Sequence, residues 1–176
     1  MRIIGGKFKG RVLYTPKTDT TRPTQAALRE AVFNICQSEI ENATFLDLFA
    51  GSGAMGFEAL SRGASHVTLV ESNKQALIAI KKNIELLEVQ SFVTLLAMDA
   101  TMRVFSSVKP FDIIYIDPPY DMNIYPILNQ ISKLLTMSGN LFVEARYEKQ
   151  KEPEIPFLTL KSARKYGSTA LFHYTK

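Results

Sequence analysis

The sequence holds one cysteine, Cys36, and two histidines, His66 and His173. A single thiol cannot close an internal disulfide, so a reducing, cytoplasmic setting is expected. Cys36 falls between Ile35 and Gln37 in a helical pattern, where a thiol acts as a small buried apolar group and not as a nucleophile. The histidines lie far apart and lack companions at ligand spacing, so no metal site is expected. No apolar run reaches the ~18 residues of a membrane span. The start, Met1-Arg2-Ile3-Ile4-Gly5-Gly6, has a charge but no apolar stretch of the signal-peptide kind. Internal repeats, low-complexity tracts and composition breaks are also missing, so the 176 residues are read as one compact monomer. Its expected parts are a basic β-hairpin extension over 1–21 and a main domain over 22–176.

Acidic residues are scarce where basic ones gather. The net charge is +4, and residues 1–30 carry Arg2, Lys7, Lys9, Arg11, Lys17, Arg22 and Arg29 against only Asp19 and Glu30. Taken alone, such a segment is as readily a solvated surface as a polyanion site. The choice between them rests on the chemistry encoded further along.

Short apolar stretches around Gly5-Gly6 and Gly10 predict a small β-hairpin over Arg2 to Leu13. Thr24 is the expected cap of a helix from Gln25 to about Ser38, with Ala27, Leu28, Ala31, Val32 and Ile35 on one face. From Thr44 onward strands alternate with helices, the pattern of a parallel sheet covered on both faces. The expected strands are 44–49, 65–70, 92–98, 111–116 and 140–145. The expected helices are 54–62, 74–87, a short one near 101–108, and 124–135. Phe157 to Lys161 and Thr169 to Tyr174 are read as an antiparallel pair closing the sheet edge. The fold class is therefore α/β.

Three features along that alternation carry chemistry. The first is Phe45-Leu46-Asp47-Leu48-Phe49-Ala50-Gly51-Ser52-Gly53, a strand entering a glycine turn and then a helix. Gly51 and Gly53 let the backbone turn sharply and approach a ligand, and the following helix start offers free N–H groups. The second is Glu71, which ends the next strand 18 residues after Gly53, where a carboxylate accepts from ribose hydroxyls in dinucleotide folds. Asp99 follows the strand after that. Gly56 completes a G-x-G-x-x-G spacing, so NAD is not excluded by spacing. Asp47 tilts the choice: a carboxylate there opposes a pyrophosphate but suits the sulfonium and ammonium of S-adenosylmethionine.

The third feature is Asp117-Pro118-Pro119-Tyr120 at the end of the fourth strand. Two prolines fix φ and remove two N–H donors, so the Asp117 carboxylate and the Pro118 carbonyl can converge on the two hydrogens of an exocyclic amine. Tyr120 adds a flat face for a stacked base. Such a site prepares an aryl amine for methyl transfer. A bland proline-rich turn is the competing reading.

With these segments in hand, the chain resembles the Rossmann-like class I methyltransferases, and among them the RsmD family of small-subunit ribosomal RNA guanine-N2 methyltransferases. The resemblance extends through Arg2-Ile3-Ile4-Gly5-Gly6, Arg22-Pro23-Thr24 and Arg29-Glu30-Ala31-Val32-Phe33-Asn34. It implies a seven-stranded, mostly parallel sheet with a reversed final strand and helices on both faces. It implies S-adenosylmethionine as methyl donor, with Gly51 and Gly53 lining it, Glu71 on its ribose, Asp99 on its adenine amino group and Asp117 to Tyr120 on the target base. Ribosomal RNA, within a small-subunit particle or an assembly intermediate, is the implied partner, gripped through Arg2, Lys7, Lys9 and Arg11. A DNA adenine-N6 methyltransferase and a protein glutamine methyltransferase are the competing enzymes. A non-catalytic RNA-binding assembly factor is the competing non-enzyme. Residues 152–176 carry no motif.

Overall fold

The computed structural model describes residues 1–16, 23–101, 109–119, 121–147 and 153–176. Helix α1 (Pro23–Ile35) is followed by β1 (Thr44–Leu48), α2 (Ala54–Ser61), β2 (His66–Glu71), α3 (Lys74–Leu87), β3 (Val93–Ala97), β4 (Phe111–Ile116), α4 (Tyr125–Leu134), β5 (Leu135–Arg146), β6 (Thr159–Tyr166) and β7 (Thr169–Thr175). Seven strands form one sheet in the order β3-β2-β1-β4-β5-β7-β6. Strands β1 to β5 pair in parallel, and β7 runs antiparallel to both β5 and β6. The expected Rossmann-like class I sheet, reversed strand included, is the one observed.

The central strands are buried on both faces, as a parallel sheet between two helical layers requires. On one face Phe45, Tyr115 and Phe142 pack with Leu28 and Phe33 of α1, Phe57 of α2 and Ile80 of α3. On the other, Leu46, Ile114 and Val143 pack with Leu128 and Ile131 of α4. Cys36 is fully buried in the first layer, and its thiol, donating to the Val32 carbonyl, is pushed up to about 12 by burial. Its structural reading stands. Among the described residues no helix is long and apolar enough to cross a membrane.

Several expected boundaries move. Helix α1 starts at Pro23, ahead of the expected cap Thr24, because the fixed φ of proline suits the first helical position. Strand β5 begins at Leu135, directly after α4, and pairs there with Phe111 across an irregularity in the ladder. Strand β6 runs on to Tyr166. Its Lys161, Arg164 and Lys165 are the charged residues that blunt an outer strand, and they disguise it in the sequence. The helix expected near 101–108, together with Lys17, Arg22 and Tyr120, lies outside the described residues.

The arms of the expected N-terminal hairpin do pair: Ile3 N–H donates to the Arg11 carbonyl, Leu13 N–H to the Met1 carbonyl and Gly10 N–H to the Ile3 carbonyl around an antiparallel bridge between Arg2 and Val12, with turns at Gly6 (φ 72°) and Gly10 (φ 88°). The amides between the arms, those of Ile4, Gly5, Lys7 and Phe8, go instead to α2. Glu58, 0 % exposed, accepts from Ile4 and Gly5 N–H at 2.8 Å each and from Arg62 Nε at 2.7 Å, with Arg29 Nε 3.8 Å away. Ser61 Oγ accepts from Phe8 N–H and donates to the Gly5 carbonyl, and the Ser61 carbonyl accepts from Lys7 N–H. A ribbon of backbone is thus clasped to one helix by a buried carboxylate and a hydroxyl.

Removing one member of such a buried, charge-assisted group costs about 3–5 kcal/mol, because its partners stay behind unpaired. Glu58→Ala should therefore lower the melting temperature by roughly 10 °C, given about 2–4 °C per kcal/mol in a domain of this size. Parallel thermal melts check this, and a shift of only a degree or so would mean that the clasp contributes nothing net.

Candidate active site at the carboxyl edge of the sheet

Strand β1 has β2 on one side and β4 on the other, so the chain leaves it in opposite directions and a crevice opens at its carboxyl end. The turn that follows contains three left-handed residues, Phe49 (φ 64°), Gly51 (φ 56°) and Gly53 (φ 77°). Phe49 is the unusual one, since a bulky side chain disfavours that conformation. A Cβ on Gly51 would meet nothing within 4 Å, so the backbone there faces open space. The Gly51 N–H donates to Glu71 Oε2 at 2.7 Å, while Glu71 Oε1 accepts from the Ser72 and Asn73 amides. Glu71 thereby braces the glycine turn from the next strand.

The other two glycines face protein. A Cβ on Gly53 would lie 2.6 Å from the Phe57 ring, and one on Gly56 would lie 2.4 Å from Leu69 Cδ2. Gly53 was expected to line the ligand; its place is the tight entry into α2. Gly56 lets α2 settle against β2.

A cavity of about 130 Å³ opens under α1 at this edge, with Asp47, Gly51, Asp117, Glu144, Arg29 and Met1 among its walls. Asp47 is 1 % exposed and its Oδ2 accepts from Gly56 N–H at 3.1 Å. Burial pushes its carboxyl up to about 8, opposed by the Gly56 bond and reinforced by the charges of Asp117, Glu71 and Glu144. Glu144 is likewise pushed up to about 8 by burial. Arg29 is 5 % exposed; its guanidinium donates to Met1 Sδ and to the Arg2 carbonyl, and its Nε makes no hydrogen bond among the described residues. The cavity thus carries three carboxyl groups, two of them held partly protonated near neutral pH.

Of the residues singled out in the sequence, the fold brings Asp47, Gly51 and Asp117 to this one cavity. Asp117 is exposed at the end of β4, Pro118 is buried, and the Pro119 carbonyl accepts from Met122 N–H to close the turn. Glu71 and Asp99 lie outside its walls, further along the same edge after β2 and β3. Asp99 is exposed and accepts from Thr101 N–H at 2.8 Å; that bond and one from the Thr101 side chain hold its carboxyl below the usual range. The sequence reading missed Glu144, Arg29 and Asn83. Asn83, 0 % exposed on α3, bonds both the N–H and the carbonyl of Tyr14 and donates to the Ser52 carbonyl in the glycine turn.

Arg2, Lys7, Lys9 and Arg11 are all exposed. Arg2 follows Met1, a wall of the Asp117 cavity, and its carbonyl accepts from Arg29. Lys7 and Arg11 border a groove of about 480 Å³ with Ala64, Val89 and Phe92. Those residues precede β2 and β3, so the groove lies at the amino edge, opposite the glycine turn. The cause is the clasp, which ties Lys7 to the last turn of α2.

Both raised carboxyls have a sign that can be checked. From ordinary values of 3.8 and 4.5 they rise to about 8, so they favour the folded state below about 4 and that contribution is lost as the pH rises through about 8. The melting temperature of the ligand-free protein should fall between about pH 5 and 8, by roughly 10 °C for a loss on the order of 3 kcal/mol, and level off above that. Asp47→Asn, which keeps an acceptor for Gly56 N–H, should flatten that fall. An Asp47→Asn chain with the parent's full pH dependence would show that Asp47 ionises freely.

The family described as "Conserved hypothetical protein 95" matches residues 1–175. The chain is 35 % identical over 154 residues to "Ribosomal RNA small subunit methyltransferase D" of Escherichia coli K12, covering 88 % of this chain and 76 % of that one. It is 34 % identical over 155 residues to the protein of the same name from Buchnera aphidicola, covering 88 % and 81 %. Among solved structures, "Putative methyltransferase yhhF" from Escherichia coli superposes with a TM-score of 0.89 at 30 % identity, covering 100 % of this chain and 97 % of that one. On the family match and the identity to these relatives, the chain belongs to the ribosomal RNA small subunit methyltransferase D (RsmD) family.

Proposed function

We propose that the protein transfers the methyl group of S-adenosylmethionine to the exocyclic N2 amine of a guanine in small-subunit ribosomal RNA. The observation that carries this reading is the meeting of Asp47 and Asp117 in one cavity beside the open face of Gly51, across the reversal of strand order between β1 and β4. The residues suit the donor's chemistry. The Asp47 carboxyl, pushed up to about 8 by burial, can ionise to meet a cation. Glu71, with both oxygens already braced, and Asp99 continue along the edge in the direction that ribose and adenine would take.

When bound, the donor supplies a methyl group on a positively charged sulfur. The protein's own part is to hold the amine. Asp117 and the Pro118 carbonyl accept its two hydrogens, which draws the nitrogen lone pair out of conjugation and points it into the cavity. Positive charge grows on nitrogen during transfer, and the Asp117 carboxylate stabilises it at no reorganisation cost. The amine proton leaves afterwards, so no strong base is required. Tyr120 supplies the stacking face. A paired guanine cannot reach this recess without leaving its stack, at a cost of a few kcal/mol.

The ribbon has a different part. Its Lys7 and Arg11 border the groove at the far edge of the sheet from Asp117, so they suit a substrate large enough to span the domain, as a folded ribosomal RNA does, and not the flipped nucleotide itself.

Asp117→Ala should lower the single-turnover methylation rate about 10²-fold, on the order of 3 kcal/mol, while leaving donor affinity near that of the parent. An unchanged rate would remove Asp117 from the chemistry. Lys7, Lys9 and Arg11 replaced together by alanine should weaken RNA binding and flatten its log–log salt dependence by roughly 2 units, at about 0.7–0.9 per phosphate contact. Titrations at several salt concentrations that give equal slopes for variant and parent would leave those charges merely solvated.

A further inference from the structure

Beyond Asp117, the cavity contains a carboxyl that no motif announced. The sheet order sets β1, β4 and β5 side by side, and the ladder partners Asp47 with Tyr115 and Tyr115 with Phe142. Side chains two residues on share a face. Asp47, Asp117 and Glu144 therefore stand in a row along one face of the carboxyl edge, in that order. Glu71 and Asp99 extend the row in the other direction, over β2 and β3. A donor laid over β1 to β3 leaves the β4–β5 side for the acceptor base, and Glu144 is the polar group waiting there.

Glu144 is built into the cavity wall without an internal role. Its carboxyl has no hydrogen-bond partner among the described residues, yet it lies next to the Asp117 position, with β7 beyond it. The buried Arg29, whose Nε lies 3.8 Å from Glu58, lines the same recess. A half-buried carboxyl on the wall of this cavity, with no donor from the described residues to occupy it, suits a ligand that carries one.

We propose that Glu144 is the residue that selects guanine, accepting from the N1–H of the target base while Asp117 and Pro118 hold its N2 amine. This inference rests on the guanine-N2 reading above. The N1–H and the N2 amine are adjacent donors on one edge of guanine, matching adjacent acceptors on β5 and β4. In its protonated form the carboxyl also donates to O6, so either charge state reads the same edge. Adenine has an acceptor at N1 and no amine at C2, and it cannot satisfy both groups.

The test separates the amine from the N1–H. RNA carrying 2-aminopurine at the target position keeps the N2 amine but loses the N1–H and the O6 acceptor. The parent should methylate guanine RNA over 2-aminopurine RNA by about 10- to 100-fold in kcat/KM, the discrimination that a matched pair of contacts gives. Glu144→Ala should collapse that ratio towards one. Glu144→Gln, whose amide accepts from N1–H and donates to O6, should restore most of it. Donor affinity and melting temperature, measured on the same variants, show whether they are folded. A folded Glu144→Ala chain with the parent's ratio would overturn the inference. Mass analysis that finds the parent's methyl group on an atom other than N2 would instead overturn the guanine-N2 reading.

Discussion

Everything functional in this molecule follows from the reversal of strand order at β1. A parallel sheet must cover both faces with helices, so the chain winds outward through β2 and β3, then returns to the other flank of β1 for β4 and β5. The two windings place the described connecting helices on opposite faces, and a crevice opens at the carboxyl end of β1. Residues at the carboxyl ends of β1, β4 and β5 therefore face one another there, however far apart they are in sequence. Asp47, Asp117 and Glu144 are neighbours for that reason alone.

Burial then gives these neighbours their chemistry. Three carboxyls in one recess cannot all ionise cheaply, and Asp47 and Glu144 answer by holding their protons up to about pH 8. Asp117, by contrast, is exposed at the strand end. Burial, not residue identity, sets these carboxyls apart.

Much of this was legible in the sequence. Helix α3 matched its expected bounds because Asn73, whose side chain caps the Gln75 and Ala76 amides, and an uninterrupted helical pattern mark both ends. The glycine turn and Asp117 were legible because each sits where an apolar run stops, and Asp47 because it interrupts the run that enters the glycines. Glu144 was not, since apolar Ala145 follows it and the strand seems to continue through. Arg29 and Glu58 were hidden for another reason: they lie in helical patterns, where a charge is ordinarily solvated, and only tertiary packing buries them. The ribbon was read as a hairpin because glycines and alternating apolar residues suggest one. Its arms do pair, but the amides of Ile4, Gly5 and Phe8 between them bond to Glu58 and Ser61, more than 50 residues away, and local pattern cannot report such partners.

Asn83 joins features that otherwise have separate histories. Its one side-chain amide engages the backbone of Tyr14 on one side and the Ser52 carbonyl on the other, at 2.7–3.1 Å. The end of the ribbon and the glycine turn are therefore fastened to the same pin on α3. Local opening of either one strips a fully buried amide of its partners, so the two share a free-energy cost of opening and belong to a single cooperative unit. The end of the ribbon and the glycine turn can loosen only together.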